Sequence, residues 1–265
     1  MIEKRNIEIL KALVKTDYKL RYQGSLIGHL WSIFKPLCLF SIMYFVFAVI
    51  LKLGQNTPHF PVAMLLAVVL WGFFTETSSL SLFSMVSKGD LLRKVNFPGQ
   101  IIVYSISVNA LINLLINLGI VLILGLINRV EISPYCFLFP LLIVELFLFT
   151  LGVSFILATV FVRIRDIAPL WEVSLQALMY LTPVIYPITE ILKRSVIAGK
   201  IVMLNPIAQI IQDSRYLLIS TQSMSSWEII GNKYIACVPY FISILVFIIG
   251  YRLFIKQSKK FAELV

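Results

Sequence analysis

Charge is scarce in this sequence. Of its 265 residues 14% are Asp, Glu, Lys or Arg, against about 25% in an ordinary soluble domain. Acids are the scarcer sign, 13 against 23 Lys and Arg, which leaves a formal charge of +10. Cysteine and histidine are nearly missing. Cys38, Cys136 and Cys237 lie far apart, in or beside apolar runs, and match no metal or redox spacing, so no disulfide is expected. His29 and His59 have no ligand-spaced partner and read as interface or packing residues. No G-x-x-x-x-G-K-S/T loop is present to cradle ATP phosphates. No paired external carboxylates, Ser/His/Asp set or His/Cys cluster suggests hydrolytic or covalent work. No catalytic, cofactor-binding or metal site is therefore expected. The basic opening segment is too long for a signal peptide and lacks a cleavage site before the first apolar run.

What remains is hydrophobic. Apolar types make up 59% of the chain and the mean hydropathy is +0.92, beyond what a soluble fold of this length can hide from water. The apolar residues come in long runs, as lipid-facing helices require. The fold class expected is an all-α integral membrane protein. The positive charge sits mostly between those runs, where it orients the chain and attracts anionic headgroups, so nucleic acid is not an expected partner.

Six spans are predicted, over about 30–51, 60–83, 101–127, 137–162, 167–186 and 234–254. Before them, Lys4, Glu8, Lys11, Lys15 and Lys19 alternate at helical spacing with Ile7, Leu10, Leu13, Val14 and Tyr18. Residues 1–29 thus read as an amphipathic helix lying in the headgroup plane, residues 30–256 as the transmembrane domain and 257–265 as a basic tail. Bases crowd the N-terminus, the loop holding Lys88, Arg93 and Lys94, the loop holding Arg163 and Arg165, and the C-terminal end. The alternate loops are poorer in them, which puts both termini in the cytoplasm and requires an even number of spans. The last external segment, residues 188–233, is too long for a turn and too apolar for a flexible loop. Two short helices are expected within 188–220, N-capped by Thr189 and by Asn205 before Pro206. The apolar face of the second (Ile207, Ile210, Ile211, Leu217, Leu218) would oppose Gln209 and Asp213.

Glu76, Glu145 and Glu172 fall within spans. Such acids serve either proton coupling or hydrogen bonds to Ser, Thr or Asn of a neighbouring helix. Ser105, Asn109, Asn113 and Asn117 recur every four residues and make one polar stripe on the third span, which must meet another helix or a polar conduit. Aromatics such as Tyr44, Phe47, Trp71, Phe74, Tyr180 and Tyr186 suit either an interface belt or a sliding surface for sugar rings.

Longer stretches carry a resemblance. They are TDYKLRYQGSLIGHLWSIFKP from Thr16, SKGDLLRKVNFP from Ser87, RIRDIAPLWEVSLQALMYLTPVIYP from Arg163, NPIAQIIQDSRYLL from Asn205, and the terminal KKFAELV. In order and spacing over nearly the whole chain they are similar to the permease subunits of ABC-2 type exporters of lipid-linked polysaccharides: O-antigen, capsule or teichoic acid. The resemblance implies six spans, an N-terminal interfacial helix and two external re-entrant gate helices. It implies a homodimer in the bacterial cytoplasmic membrane, bound to two separate ATP-binding cassette subunits that hold the ATP and Mg. Residues 87–96 would be the coupling helix, with Lys88, Asp90, Leu91, Leu92, Arg93 and Lys94 docking into the ATPase. Tyr44, Phe47, Trp71, Phe74, Asn109, Asn113, Tyr180 and Tyr186 would be candidate glycan contacts. Exporters of drugs or small lipids often carry a long external insertion or a fused ATPase, and this chain has neither. An ion-coupled carrier would use the membrane acids and show an inverted repeat, and none is visible. A membrane glycosyltransferase would need a sizeable acidic extramembrane region, which is also missing.

Overall fold

The computed structural model describes residues 4–22, 28–54, 57–95, 97–130, 133–258 and 261, without the side chains of 21, 22 and 29. Gly24, Asn96, Glu131, Lys259, Lys260, the side chain of His29 and most of the basic tail, all named above, lie outside that description. The described residues form helices and turns without a strand.

Helix α1 (Lys4–Tyr22) is followed by a 3-10 turn and α2 (Trp31–Met43), which continues as a π-helical segment (Tyr44–Ile50). Then come α3 (Phe60–Ser87), the six-residue α4 (Gly89–Lys94) and α5 (Gln100–Ile127). A 3-10 turn (Pro134–Leu138) leads into α6 (Phe139–Phe161), and α7 (Ile167–Leu181) follows. Short helices α8 (Ile188–Arg194) and α9 (Val196–Val202) precede α10 (Pro206–Leu218). The chain closes with α11 (Ser226–Ile230), α12 (Lys233–Ala236) and α13 (Val238–Ser258).

Among the described residues, five helices are long and apolar enough to cross a bilayer: Trp31–Ile50, Phe60–Ser87, Gln100–Ile127, Pro134–Phe161 and Lys233–Ser258. They match five of the six expected spans to within a few residues. The remaining one, over 167–186, contains a helix of 15 residues that ends at Leu181, short of the roughly 20 a span requires. Pro183 explains the stop. The residue before a proline is driven out of the helical region, and Thr182 is extended, at φ −92 and ψ 138.

The segment expected to lie outside the membrane also departs from expectation. Three helices, α8, α9 and α10, occupy 188–218 where two were expected. Ser195 divides the first expected helix: it is extended, and its hydroxyl accepts from Ala198 N to cap α9. Thr189 lies inside α8 and caps nothing, since the N-cap position falls on Pro187. Asn205 caps α10 as expected, accepting from Ile207 N, with Pro206 at the first helical position. Helix α10 is buried on nearly every side, against α3, α6 and α13. Gln209 and Asp213, expected on a polar outer face, are interior residues.

The core is built on α3, which lies between α5 and α6, while α13 runs along α6. That last contact depends on two glycines. A Cβ on Gly152 would stand 2.6 Å from the backbone of Phe247, and one on Gly250 would meet the carbonyl oxygen of Gly152. The two backbones touch, as small residues allow where helices pack inside a bilayer. Aromatic rings complete this contact at one end, where Phe155 packs on Tyr251 and Phe254.

Gly152→Ala is therefore expected to force α6 and α13 apart and to destabilise the protein by about 1–3 kcal/mol, as overpacking does. Gly119→Ala, where a Cβ meets nothing within 4 Å, serves as the control. SDS-titrated unfolding of the two variants checks this, and equal midpoints would show that the helices are not in backbone contact.

Candidate functional site

At the end of the molecule that holds α4, the short helix is assembled from three directions. Val95 stops it by turning extended, after Asp90 in its first turn and Arg93 and Lys94 in its last have complemented its dipole. The structure divides the residues expected to dock. Leu91 and Leu92 turn inward against a cluster that includes Met85, Phe97, Ile101 and Phe254, and Leu92 Cδ2 lies 3.6 Å from where a Cβ on Gly99 would be. Asp90, Arg93 and Lys94 are exposed. Lys88 is bonded within the chain, donating from Nζ to Oδ2 of Asp17 on α1.

Helix α1 is held to this assembly. Its inward positions recur at helical spacing, with Ile9, Leu10 and Leu13 packed on the same cluster as Leu91 and Leu92. Ile7, expected on that face, is instead 41% exposed, while Lys4, Lys11, Lys15 and Lys19 point outward. Asp17 joins α1 to the start of α4 through Lys88, and its Oδ2 also accepts from the Ser105 hydroxyl of α5 at 3.5 Å.

Every member of the α5 polar stripe is buried. Ser105 meets α1, as above. Asn113 Nδ2 donates to Glu76 Oε1 of α3 at 3.3 Å. Asn117 Nδ2 reaches the backbone oxygen of Ser32 on α2 at 3.2 Å. That oxygen would ordinarily accept from residue 36, but Pro36 has no N–H to give, and the asparagine takes its place. Asn109 Oδ1 is buried with no hydrogen bond among the described residues. The stripe therefore joins α5 to three different helices.

The membrane acids separate. Glu76 and Glu145 each accept from a neighbouring helix: Glu76 from Asn113, and Glu145 Oε1 from the Ser243 hydroxyl of α13 at 3.1 Å. Glu172 is exposed on α7. Between α2, α3 and α5 lies a hollow of about 650 Å³ whose lining includes Lys35, Glu76 and Asn113.

The aromatics divide too. Trp71 and Phe74 are core side chains, with Phe74 stacked on Phe149 and edge-on to Trp171. Tyr44 and Phe47 pack on the same core from the π-helical segment that continues α2. Tyr180 is 64% exposed, and its carbonyl accepts from the Tyr186 hydroxyl at 2.8 Å.

Sequence reasoning passed over the polar knot that seats α10. Asp213 accepts from Gln209 Nε2 at 2.7 Å, from Ser226 N and Oγ at 2.8 Å each, and from the Tyr240 hydroxyl at 3.3 Å. Burial raises its carboxyl above the ordinary range, and these donors act against that shift. Arg215, wholly enclosed, donates to the carbonyl oxygens of Ala63 on α3 and Val184 beyond α7, at 3.3 and 3.0 Å. Burial lowers its guanidinium to about 10, so it stays cationic at neutral pH. Polar and charged residues recurring on a largely apolar helix (Gln209, Asp213, Arg215) are the signal that could have found this knot. No three His, Cys, Asp or Glu gather as a metal site among the described residues.

A family profile described as "ABC-2 type transporter" matches residues 8–219. A Myxococcus xanthus protein named "O-antigen export system permease protein RfbA" is 30% identical over 202 residues, which cover 76% of this chain and 76% of that one. A Klebsiella pneumoniae protein of the same name is 25% identical over 259 residues, covering 97% and 95%.

The Asp17–Lys88 pair is about one quarter exposed on each side, so its contribution is expected to be modest, about 0.5–1 kcal/mol. A double-mutant cycle of Asp17→Ala and Lys88→Ala in SDS-titrated unfolding measures it. A coupling energy of zero would mean that α1 is held by its apolar face alone.

Proposed function

The chain belongs to the ABC-2 type transporter family, and we propose that it is the channel-forming permease of an ATP-driven exporter of lipid-linked polysaccharide. The observation that carries this reading is the similarity to O-antigen export permeases across 97% of the chain. The family is one of transmembrane subunits rather than ATPases. ATP and Mg then belong to two cassette subunits supplied as separate chains.

The exposed face of α4 supports a division of labour. Asp90, Arg93 and Lys94 offer a charged, rigid surface to a partner, while Leu91 and Leu92 fix the helix to the cluster behind it. A push on α4 passes to α1 through Asp17 and to α5 through the shared cluster. The permease works as a homodimer in the cytoplasmic membrane of a bacterium. Exposed apolar residues of α7, including Leu170, Val173 and Leu181, supply the area that a second copy would cover. Helix α7 completes the sixth crossing within the dimer, with the segment through Tyr186 carrying the chain out. Both termini are cytoplasmic, in line with the distribution of Lys and Arg. On the opposite side α8–α10 act as the gate, with α10 seated by Asp213 and Arg215. The glycan advances past weak, repeated contacts of the kind that conduction requires.

Reversal of the outward charges tests the coupling surface. Arg93→Glu with Lys94→Glu is expected to leave the chain in the membrane, cut co-purification of the ATPase by tenfold or more, and stop glycan from reaching the cell surface. Wild-type yields of complex and of surface glycan would show that the ATPase docks elsewhere.

A further inference from the structure

We propose that Glu145 and Asp213 hold one proton between them across the side-chain amide of Gln209, and that this proton joins α10 to α6. The two acids stand on those two helices, and Gln209 lies within hydrogen-bonding reach of both. All three side chains are buried. A side-chain amide has one donating end and one accepting end. It satisfies two carboxyl groups on opposite sides only when one is ionised and the other carries a proton.

The hydrogen bonds say which is which. Both hydrogens of Gln209 Nε2 are used, one toward Asp213 Oδ2 at 2.7 Å and one toward the Tyr240 hydroxyl at 3.0 Å. The end left for Glu145 is Oε1, an acceptor. Gln209 Oε1 and Glu145 Oε2 are both buried with no hydrogen-bond partner among the described residues. Two acceptors cannot satisfy each other, and leaving both unmet is costly. A proton on Glu145 Oε2 gives each of them its partner. Asp213 has the donors of an ionised acid, from Gln209, from Ser226 N and Oγ, and from Tyr240. Glu145 has the Ser243 hydroxyl, whose single hydrogen is shared with the Pro239 carbonyl, each at 3.1 Å. Turning the amide over would move the proton to Asp213 and leave the count at one.

The charges nearby agree with that count. Arg215 is the other charged residue of α10 and is buried with it. Of the elements packed on α10, α13 presents Tyr240, and α11 has Glu228, which is exposed and caps its own helix. The 3-10 turn before α6 has the exposed Tyr135 and the half-buried Cys136, and Glu76 of α3 is bonded to Asn113. With one proton, Glu145, Asp213 and Arg215 sum to zero. Without it they would leave a net negative charge inside the protein, which a poorly polarisable interior penalises.

Infrared spectra of the full chain in liposomes at neutral pH test this, because a protonated carboxyl has its own C=O stretch, which shifts in D2O. The wild-type spectrum should contain that band. Glu145→Gln and Asp213→Asn should each remove one carboxyl from it, since the acid that remains can ionise against the Gln209 amide. Absence of the band from wild type would mean that both acids are ionised. A band kept in full by either variant, with amide bands as in wild type, would mean that the acids titrate independently; either result overturns the proposal. Gln209→Glu supplies a gain that misfolding does not mimic. Its carboxyl can donate to Asp213 as Nε2 does and accept from Glu145 as Oε1 does, so the knot should hold a second proton and its band should double. A band of unchanged size in that variant would contradict the bridge.

Discussion

Hydrocarbon offers no hydrogen bonds, so a polar group inside a membrane protein must find its partner within the protein or in water. The interior of this molecule is arranged around that constraint. Glu76 is answered by Asn113, Glu145 by Ser243 and the carbonyl freed by Pro36 by Asn117. Each of these bonds crosses from one helix to another, so the need to satisfy a polar group also fixes which helices are neighbours. Asp213 shows the rule at its most demanding, with a buried carboxylate enclosed by donors from its own helix, from α11 and from α13.

The same constraint gives the molecule two ends of different character. Around α4, the apolar cluster shared by α1, α4, α5 and α13 makes one body, with Asp90, Arg93 and Lys94 left on its outer face and Lys88 paired to Asp17. At the other end α10 is held by polar bonds and by the Arg215 clasp to α3 and Val184. Between them α6 and α13 touch backbone to backbone at Gly152 and Gly250. Tightly packed elements do not bend continuously but shift between discrete arrangements. Helices α2, α5, α6, α7 and α13 all leave large apolar residues exposed, the surface that lipid or another protein surface would cover.

Much of this was legible beforehand where one physical signal dominates. Unbroken apolar runs located five spans, and the four-residue repeat of Ser105, Asn109, Asn113 and Asn117 identified a buried face. Asn205 followed by Pro206 marked the start of α10. The reading failed where a local signal had a competitor. Thr189 is a good capping residue, but Pro187 already begins the helix two positions earlier. Pro183 ends α7 within a run whose hydropathy suggested a longer helix. The resemblance made Leu91 and Leu92 docking residues, and no local signal in the sequence shows that they also pack, partly buried, on the protein's own cluster. Gly152 and Gly250 gave no warning, since nothing local shows that two distant glycines face each other.

Movement of glycan across a bilayer under the control of ATP tests the exporter reading most directly. Proteoliposomes would hold this chain, its cassette ATPase and a lipid-linked oligosaccharide, and a lectin outside would read the glycan that has crossed. Expected is lectin-accessible glycan that accumulates only with ATP and is lost when the ATPase is omitted or its phosphate-binding lysine is replaced. Transfer at the same rate without ATP, or ATP hydrolysis by the complex with no glycan crossing, would contradict it.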